Sequence, residues 1–246
     1  MPATELFAGG PRPLSLRDAI FPRPLTVLVL APHPDDFDAI ALSLRHLHGQ
    51  GHALHVAVLT GGASGVEDGF GGASDDAAKA ALREAEQRAS CAFFGLDPAR
   101  LHFLRLWSDE AQADADLARL QAWMAARPAD LVFLPHGNDS NRTHRRTYES
   151  VRAVAARLGS TAWACLNQDA KTLEMRVDLV FAFGEADAAW KAQLLRLHRS
   201  QQERNLRTRG IGFDERVLQV NRQAAQALDS LQPYAEVFEL MRLGSA

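Results

Sequence analysis

The most regular feature of the chain is a pair of short apolar runs, each of which ends in a proline and leads into polar residues. The first runs from Leu25 to Ala31 and is followed by Pro-His-Pro-Asp-Asp. It is too short for a helix, it is rich in Leu and Val, and the prolines stop it abruptly, so it predicts a buried parallel strand. The second, from Asp130 to Pro135, repeats this arrangement. We expect both strands to end at one edge of a sheet, where open α/β sheets place their ligand sites.

The rest of the chain alternates between segments with the period of strands and segments with the period of helices. This alternation predicts an α/β fold, namely a Rossmann-like three-layer α/β/α sandwich with a mostly parallel sheet. Residues 175–183 alternate between apolar and polar positions, which indicates an edge or antiparallel strand. The other predicted strands are 54–60, 101–106, 161–166 and 235–241, and the predicted helices are 39–48, 77–94, 110–126, 144–158, 185–202 and 213–231.

Length and composition indicate one globular domain. The chain has 246 residues, of which 47% are hydrophobic and 23% are charged, and this is enough for one sizeable α/β core. We interpret residues 25–246 as that domain and residues 1–24 as an N-terminal extension around its outside, with one helical turn near Leu16 to Ile20. The extension is rich in proline and has no apolar run typical of a signal peptide or a membrane span, so a cytoplasmic protein without a membrane span is expected.

The charge balance and the cysteines narrow the range of partners. A net charge of −3 argues against nucleic acid or an anionic membrane surface as the main partner. We therefore expect a small-molecule substrate, and assembly into a homo-oligomer is left open. Cys91 lies in a helical stretch and Cys165 in a strand-like one, which indicates small buried hydrophobic residues and no disulfide framework.

The first polar loop carries candidate metal ligands. Adjacent carboxylates such as those of Asp35 and Asp36 raise each other's pKa, which indicates a cation nearby. His33 and Asp36 are three residues apart and can reach one ion while Asp35 stays free. The alternative is that one of the two carboxylates only caps the following helix. Capping does not explain His33.

The second polar loop supplies the third candidate ligand. Asn141 or Thr143 is a suitable N-cap for the helix that follows, which places His144 in the first turn, facing the strand ends. We take His144 as the third ligand, and His136 as the alternative. Asp139 is a candidate hydrogen-bond partner for a ligand histidine.

Two further segments contain residue types that bind ligands elsewhere. Four histidines at positions 46, 48, 52 and 55 lie around the amino end of the second strand, opposite the proposed site, so we interpret them as structural. Residues 61–76 are rich in glycine and acidic residues and leave from the site edge, which predicts either a mobile substrate flap or an ordinary loop. A phosphate-binding loop is less favoured, because the acidic residues would repel the phosphate.

Trp107 and Asp109 follow the third strand and are expected at the same edge. Trp107 offers an aromatic face on which a sugar can stack, and Asp109 offers an acceptor for a sugar hydroxyl. Equally, Ser108 or Asp109 caps the helix predicted over residues 110–126. The sequence leaves both interpretations open.

These motifs together resemble those of the PIG-L/LmbE-like metal-dependent N-deacetylases, which remove acetyl groups from substrates that contain N-acetylglucosamine. The segment Ala31-Pro-His-Pro-Asp-Asp36 is similar to the family's A-H-P-D-D signature, apart from Pro32, which looks inserted. Three weaker matches extend the resemblance over roughly residues 25–201: Arg83-x-x-Glu86 with Phe94-Gly95, Asn141-Arg-Thr-His144, and Lys191 with His198-Arg-Ser-Gln201.

Two positions depart from the family pattern. Phe37 stands where an acidic residue commonly follows the Asp-Asp pair, so any supporting role of that residue falls to Asp38 or is absent. Asn141 stands where many members have a histidine, and an amide does not titrate near neutral pH. The second departure means that this chain lacks, at this position, the histidine that acts as an acid in the family. It does not affect the metal ligands.

The resemblance implies metal-assisted amide hydrolysis. His33, Asp36 and His144 hold the metal with positions left for water and the acetamide oxygen. Asp35 is the general base, and Asn141 stabilises the oxyanion.

The identity of the metal and of the substrate depends on the resemblance more than on the ligand set. The resemblance favours Zn²⁺ and an N-acetylated sugar or N-acetylglucosamine conjugate, and it places His198 in the pocket. The ligand set alone equally fits Fe²⁺. Two alternatives therefore stay open: a non-haem Fe(II) oxygenase with the same ligands, and a binding module that keeps the metal without turnover.

Overall fold

The first apolar run forms a buried strand inside the sheet, as predicted. In the computed structural model, which describes residues 5–244, this strand is Thr26–Ala31. The eight strands of the sheet are β1 (Leu14–Ser15), β2 (Thr26–Ala31), β3 (Ala53–Val58), β4 (Leu101–Phe103), β5 (Leu131–Pro135), β6 (Trp163–Asn167), β7 (Leu179–Phe183) and β8 (Tyr234–Arg242). Across the sheet they follow the order β1-β7-β8-β6-β5-β2-β3-β4.

The sheet is mostly parallel, as predicted. Among the described strands, β8 alone pairs antiparallel with its neighbours, β6 and β7, and the other pairs are parallel. The antiparallel position expected for residues 175–183 is confirmed for the pairing of β7 with β8. The strand whose direction is reversed relative to the rest is β8.

Helices cover both faces of the sheet, which confirms the three-layer sandwich. Val29 of β2 packs in one core with Leu194, and the next residue, Leu30, packs in the opposite core with Val151. Successive strand residues point to opposite faces, so one strand serves both cores. The α-helices of the described residues are α1 (Asp36–Ala39), α2 (Ala41–Gly49), α3 (Asp76–Phe94), α4 (Ala113–Ala125), α5 (Arg142–Arg157), α6 (Glu185–Leu195), α7 (Arg199–Arg209) and α8 (Phe213–Ala227).

The carboxyl ends of β2 and β5 are neighbours at the point where the strand order reverses. Val29 of β2 is paired with Val56 of β3 on one side and with Phe133 of β5 on the other. The chain therefore continues from β2 to β3 on one side of β2, and it later returns to place β5 on the other side. Ligands of open α/β sheets bind in the crevice at such a point, and both predicted polar loops begin there.

Two predicted helices are each divided. Helix 39–48 is broken at Ile40, whose φ of −120° separates α1 from α2. Helix 185–202 consists of α6, which ends at Leu195, and α7, which begins at Arg199. No glycine or proline marks either break, so the prediction of continuous helices was wrong at both.

The strand predicted over residues 101–106 ends early, at Phe103. Arg105 and Trp107 beyond it have positive φ values of 50° and 61°. An extended strand does not accommodate such values, so the regular strand ends there, although Leu106 N still donates a hydrogen bond to Leu59 O at 2.6 Å.

The described part of the N-terminal segment belongs to the sheet and the core. β1 pairs with β7, and the side chains of Phe7 and Leu16 are fully buried. The segment therefore does not simply wrap around the outside. The helical turn expected near Leu16 to Ile20 is a single hydrogen-bonded turn, in which Ala19 N donates to Leu16 O at 3.2 Å.

None of the helices within residues 5–244 is long and apolar enough to cross a membrane.

Cys91 and Cys165 are both buried free thiols, which confirms that they serve as small hydrophobic side chains.

Candidate metal centre and substrate pocket

His33 and Asp36 face each other across the loop that follows β2. Asp36 Oδ2 lies 3.1 Å from His33 Nδ1 and accepts a hydrogen bond from the His33 backbone N–H at 2.7 Å. Asp35 occupies the N-cap position of α1 but makes no capping hydrogen bond with its side chain. The capping alternative is therefore not observed, and both carboxylates remain available to the site.

His144 enters the site from the first turn of α5. Asn141 caps this helix, since its side-chain oxygen accepts a hydrogen bond from Thr143 N at 3.0 Å. On one side of the ring, His144 Nδ1 lies 3.1 Å from Asp139 Oδ2. On the other side, Nε2 lies 3.5 Å from Asp36 Oδ1. Asp139, itself buried, thus orients the histidine so that Nε2 points into the site.

The donor set fits a divalent metal ion. One ligand atom each from His33, Asp36 and His144 lies within 4.8 Å of the others, and a second group of this kind, Asp139, His144 and Asp169, shares His144. Two imidazoles and one carboxylate are a common set for zinc and for iron(II). The three ligands proposed from the sequence are thus brought together by the fold.

The buried ionisable groups of the site stabilise one another in their charged forms. Burial would raise the pKa of Asp36, but His144 and His33 hold it well below its ordinary value. Burial would lower the pKa of His144, but Asp36 and Asp139 raise it to about 10. Each group is thus stabilised in its charged form by the others, and a metal ion on Nε2 would take the place of the His144 proton.

Asp35 lies beside the proposed ligands in a strained backbone conformation. Its φ is 126°, a value that costs energy for a residue other than glycine. Two contacts hold it there: Arg83 Nη2 lies 2.8 Å from Asp35 Oδ2, and the Asp35 N–H donates to Gln87 Oε1 at 2.8 Å. Burial raises the pKa of Asp35, Arg83 opposes this rise, and the Asp36 charge adds to it.

Two cavities meet at this edge. The smaller, of about 290 Å³, holds Asp35, Asp36 and His144. The larger, of about 590 Å³, extends toward Trp107. Their common wall consists of His33, Gly62, Ser64 and Thr143.

Of the two residues proposed to contact a sugar, Trp107 lines the larger cavity and Asp109 lines neither of these two. Arg146 covers one face of the Trp107 ring in a cation–π contact, with the guanidinium carbon 4.9 Å from the ring centroid. Asp109 is exposed and its carboxylate accepts a hydrogen bond from Ala111 N at 2.9 Å. It caps the helical turn Glu110–Gln112, so the capping interpretation is the observed one.

His136 and His198 do not line the cavity of the proposed ligands. His136 Nε2 lies 3.4 Å from Glu239 Oε2, and Nδ1 accepts a hydrogen bond from Asn138 N. His198 is fully buried beneath the site, with Nε2 2.7 Å from Asp38 Oδ2. The pocket position expected for His198 was therefore wrong.

Asp38 is the centre of a buried polar group under the loop. Its carboxylate also accepts hydrogen bonds from Gln87 Nε2 at 3.0 Å and from Ser90 Oγ at 3.2 Å. Burial lowers the pKa of His198, but Asp38 raises it above its ordinary value. The same Gln87 side chain bonds Asp35 N through its oxygen, so this group supports the site loop from below.

The four histidines at positions 46, 48, 52 and 55 have structural surroundings. The His46 ring packs on Phe181, and the His48 ring packs on Phe94. His52 Nδ1 accepts a hydrogen bond from Leu25 N at 3.1 Å. None of the four belongs to the groups of potential metal ligands within the described residues.

The glycine-rich segment 61–76 forms part of the cavity walls. It contains two short helical turns, Ala63–Gly65 and Phe70–Gly72. Gly65 O accepts a hydrogen bond from Gln201 Nε2 at 2.9 Å, and Glu67 pairs with Arg207. The segment is thus tied to α7, and a role as a substrate flap stays a prediction.

Sequence reasoning did not identify the polar side chains that reach the smaller cavity from later parts of the chain. They lie in the loop after β6 and in α7 and α8, without a motif to indicate them. They are Asp169, Lys171, Arg204, Arg209 and Arg216.

The fold thus places candidate metal-binding side chains at the carboxyl edge of a mostly parallel α/β sheet. A model of the PIG-L family, described as GlcNAc-PI de-N-acetylase, matches residues 28–155, more than half of the chain. The chain belongs to the PIG-L family and is an enzyme of the N-deacetylase class, which confirms the resemblance drawn from its motifs. The three proposed metal ligands lie inside the matched segment, and α7 and α8 lie beyond it.

Solved structures with the same fold include two deacetylases and a hydratase. N,N'-diacetylchitobiose deacetylase from Pyrococcus horikoshii has a TM-score of 0.71 at 19% identity, over 89% of this chain and 84% of that one. Teicoplanin deacetylase Orf2, in a zinc-inhibited form, has a TM-score of 0.67 at 15% identity, over 90% and 100%. The 4-carboxy-2-hydroxymuconate hydratase from Pseudomonas putida has a TM-score of 0.66 at 20% identity, over 89% and 96%. A comparison with curated proteins gives no match.

Proposed function

We propose that this protein is a zinc-dependent hydrolase that removes an N-acetyl group from an amino sugar or from a conjugate that contains N-acetylglucosamine. The observation that carries the proposal is the meeting of His33, Asp36 and His144 at one sheet edge in a member of the PIG-L family. The solved structures named as deacetylases of diacetylchitobiose and of teicoplanin support an acetylated sugar as the substrate.

In this proposal His33, Asp36 and His144 would hold the metal. When bound, zinc supplies Lewis acidity, which polarises the amide carbonyl and makes water more acidic. Asp139 keeps His144 in the tautomer that leaves Nε2 free to bind, because its carboxylate accepts the Nδ1 proton. The 2.7 Å hydrogen bond from the His33 backbone N–H fixes the orientation of the Asp36 carboxylate.

Asp35 is the proposed general base. It lines the same cavity as the ligands, and the contact with Arg83 holds its carboxylate in place and opposes the rise in its pKa that burial causes. It takes a proton from the attacking water as the oxygen bonds to the acetyl carbon. It then gives the proton to the nitrogen as the C–N bond breaks, so that acetic acid and a free amine leave.

Asn141 is the proposed donor to the oxyanion. Its amide oxygen is occupied by the bond to Thr143 N. The remaining polar atom, Nδ2, is a donor, and the residue lines the smaller cavity. An uncharged donor at this position stabilises a developing negative charge without itself titrating.

The experiment that tests the proposal combines metal analysis with an assay of amine release. We expect about one zinc per chain and release of a primary amine from N-acetylglucosamine or diacetylchitobiose. His144→Ala should abolish both, whereas the matched variant His136→Ala should retain both because His136 pairs with Glu239. Metal that stays bound in His144→Ala would contradict the ligand assignment.

The same experiment distinguishes the alternatives. Turnover that requires dioxygen and iron would identify an Fe(II) oxygenase with the same ligands. Stoichiometric metal with sugar binding but no amine release would identify a binding module. Amine release without dioxygen supports the hydrolase.

A further inference from the structure

The smaller cavity is lined by cationic side chains as well as by the proposed metal ligands. We call this set of cationic side chains the cationic wall and define it as Lys171, Arg204, Arg209 and Arg216. Arg83 also lines this cavity, but its charge is matched by Asp35. The acidic residues left to balance the cationic wall are Asp36 and Asp169, and both belong to the groups that can hold a metal.

The arginines of the larger cavity are arranged differently, because each has an acidic partner. Arg105 Nε lies 2.6 Å from Glu84 Oε1. Arg146 Nη1 lies 3.0 Å and Arg142 Nη2 lies 3.6 Å from Glu110 Oε1. Arg142 and Arg146 share Glu110, and Asp76 also lines this cavity. The larger cavity therefore has less unmatched positive charge than the cationic wall and is suited to an uncharged sugar beside Trp107.

Arg204 and Arg216 lack such partners. Within residues 5–244 neither side chain makes a hydrogen bond or an ion pair, although both are half-buried. Arg209 Nη1 bonds only a neighbouring hydroxyl, Thr208 Oγ1, at 2.9 Å. A guanidinium that is partly removed from water gains most from a carboxylate or phosphate, whose oxygens match its donors.

The positions of these residues place an anion next to the reaction centre. Arg204 comes from α7, Arg216 from the first turns of α8 and Lys171 from the loop after β6, so three separate elements converge on one cavity. The Arg204 guanidinium also lies against Gly65, where an added Cβ would be 3.4 Å from Nη1. The short turn Ala63–Gly65 thus borders both the cationic wall and the larger cavity.

We propose that the cationic wall binds a carboxylate or phosphate group of the substrate, so that this enzyme acts on an anionic N-acetylated compound in preference to a neutral one. This inference rests on the proposed deacetylase function. The acetamide lies at the proposed metal ligands, the uncharged part of the substrate extends toward Trp107, and the anionic group contacts Arg204 and Arg216.

The test compares three substrates: N-acetylglucosamine, an N-acetylglucosamine phosphate, and N-acetylmuramic acid, which carries a carboxylate. We expect kcat/KM to be higher for at least one anionic substrate, and the better of the two identifies phosphate or carboxylate as the preferred group. Arg204→Gln and Arg216→Gln should each lower kcat/KM for that substrate by about tenfold or more, the loss of one charged hydrogen bond, and should lower it much less for N-acetylglucosamine.

Two further variants control for charge and for folding. Arg199→Gln removes the same charge from an exposed position on the same helix, α7, and should not change the preference. Arg204→Lys retains the charge and should retain most of the preference for the anionic substrate. Equal kcat/KM for neutral and anionic substrates in the unmodified protein would overturn the inference, and so would an anionic preference that survives both glutamine substitutions.

A binding measurement separates failure of this inference from failure of the proposed function. Calorimetry with the zinc-loaded protein compares the binding of glucosamine phosphate and of muramic acid with that of glucosamine, and none of these measurements requires turnover. If no acetylated substrate is hydrolysed, the deacetylase proposal fails. Binding of either anionic sugar that Arg204→Gln abolishes and Arg199→Gln retains would then still support the cationic wall as an anion site, and the absence of binding for both would overturn it.

Discussion

Lys191 Nζ lies 2.6 Å from Glu236 Oε1, and both side chains are completely buried. The same ammonium donates to Asn221 Oδ1 at 2.8 Å and to Ala39 O at 2.6 Å. Ala39 is the last residue of α1, the short helix that begins at Asp36. The buried ion pair therefore links α6, α8 and β8 to the helix that carries a proposed metal ligand.

Breaking this pair on one side should strongly destabilise the fold. Lys191→Met leaves the Glu236 carboxylate buried without a counter-charge, which costs about 3–5 kcal/mol. The free energy of unfolding in urea measures the loss. The control is Lys79→Met, which removes a lysine whose partner, Asp68, is largely exposed, and which should cost less than about 1 kcal/mol for the pair. A loss in Lys191→Met as small as in the control would contradict the role of the buried pair.

Asp35 and Asp36 should differ in their effect on the metal. Asp35→Asn should keep near-normal zinc content and lose turnover by about 10²–10⁴-fold, the usual contribution of a general base. Asparagine tolerates positive φ, so the substitution adds no backbone strain at the φ of 126°. Asp36→Asn should lose the metal as well. Elemental analysis with the amine-release assay measures both; full activity in Asp35→Asn would place the base elsewhere.

Asp139 should affect metal affinity indirectly, through its hydrogen bond to the proposed ligand His144. Asp139→Asn weakens the acceptor for His144 Nδ1, which lies 3.1 Å away, and should lower zinc affinity by about 10–100-fold. Competition with a chromophoric chelator gives the affinity. Asp109→Asn is the matched control, since Asp109 caps an exposed turn. Equal affinities in the two variants would argue against the orienting role of Asp139.

His52 should make the fold less stable as the pH falls. Burial lowers the pKa of His52 below its ordinary value, so around pH 6 the unfolded chain binds a proton that the folded chain resists. Stability is therefore lost from about pH 6.5 downward, toward the lower pKa of the folded state. His52→Asn keeps an acceptor for Leu25 N and removes the titration. Urea unfolding at about pH 7 and pH 5 should show a smaller loss of stability for the variant, and equal losses would exclude His52 as a source.

The part of the site that follows from the sequence is the part with local signals. A short apolar run that ends in proline predicts β2 and β5 separately, and the rule for parallel sheets places their carboxyl ends side by side. This is sufficient to bring His33, Asp36 and His144 together, although His144 is far from the other two in sequence.

The features that sequence reasoning did not predict depend on contacts between distant elements. The break before α7 contains no glycine or proline. His198, next to the break, is held by Asp38, which is far from it in sequence. Asp169 reaches His144 because β6 pairs with β5 and because Thr172 forms a bridge with Asp139. Neither contact has a counterpart in the local pattern of apolar and polar residues.

The cationic wall and the proposed metal ligands come from different stretches of the chain, and this has a consequence for how the enzyme can change. His144 is the last of the three ligands along the sequence, and Arg204 and Arg216 follow it on a pair of helices near the carboxyl terminus. A chimera that receives this helix pair from another member of the fold, but retains Asn221 for its bond to Lys191, would acquire a different charge in the pocket while the proposed metal ligands stay in place. Substrate preference and chemical step can thus diverge independently in this architecture.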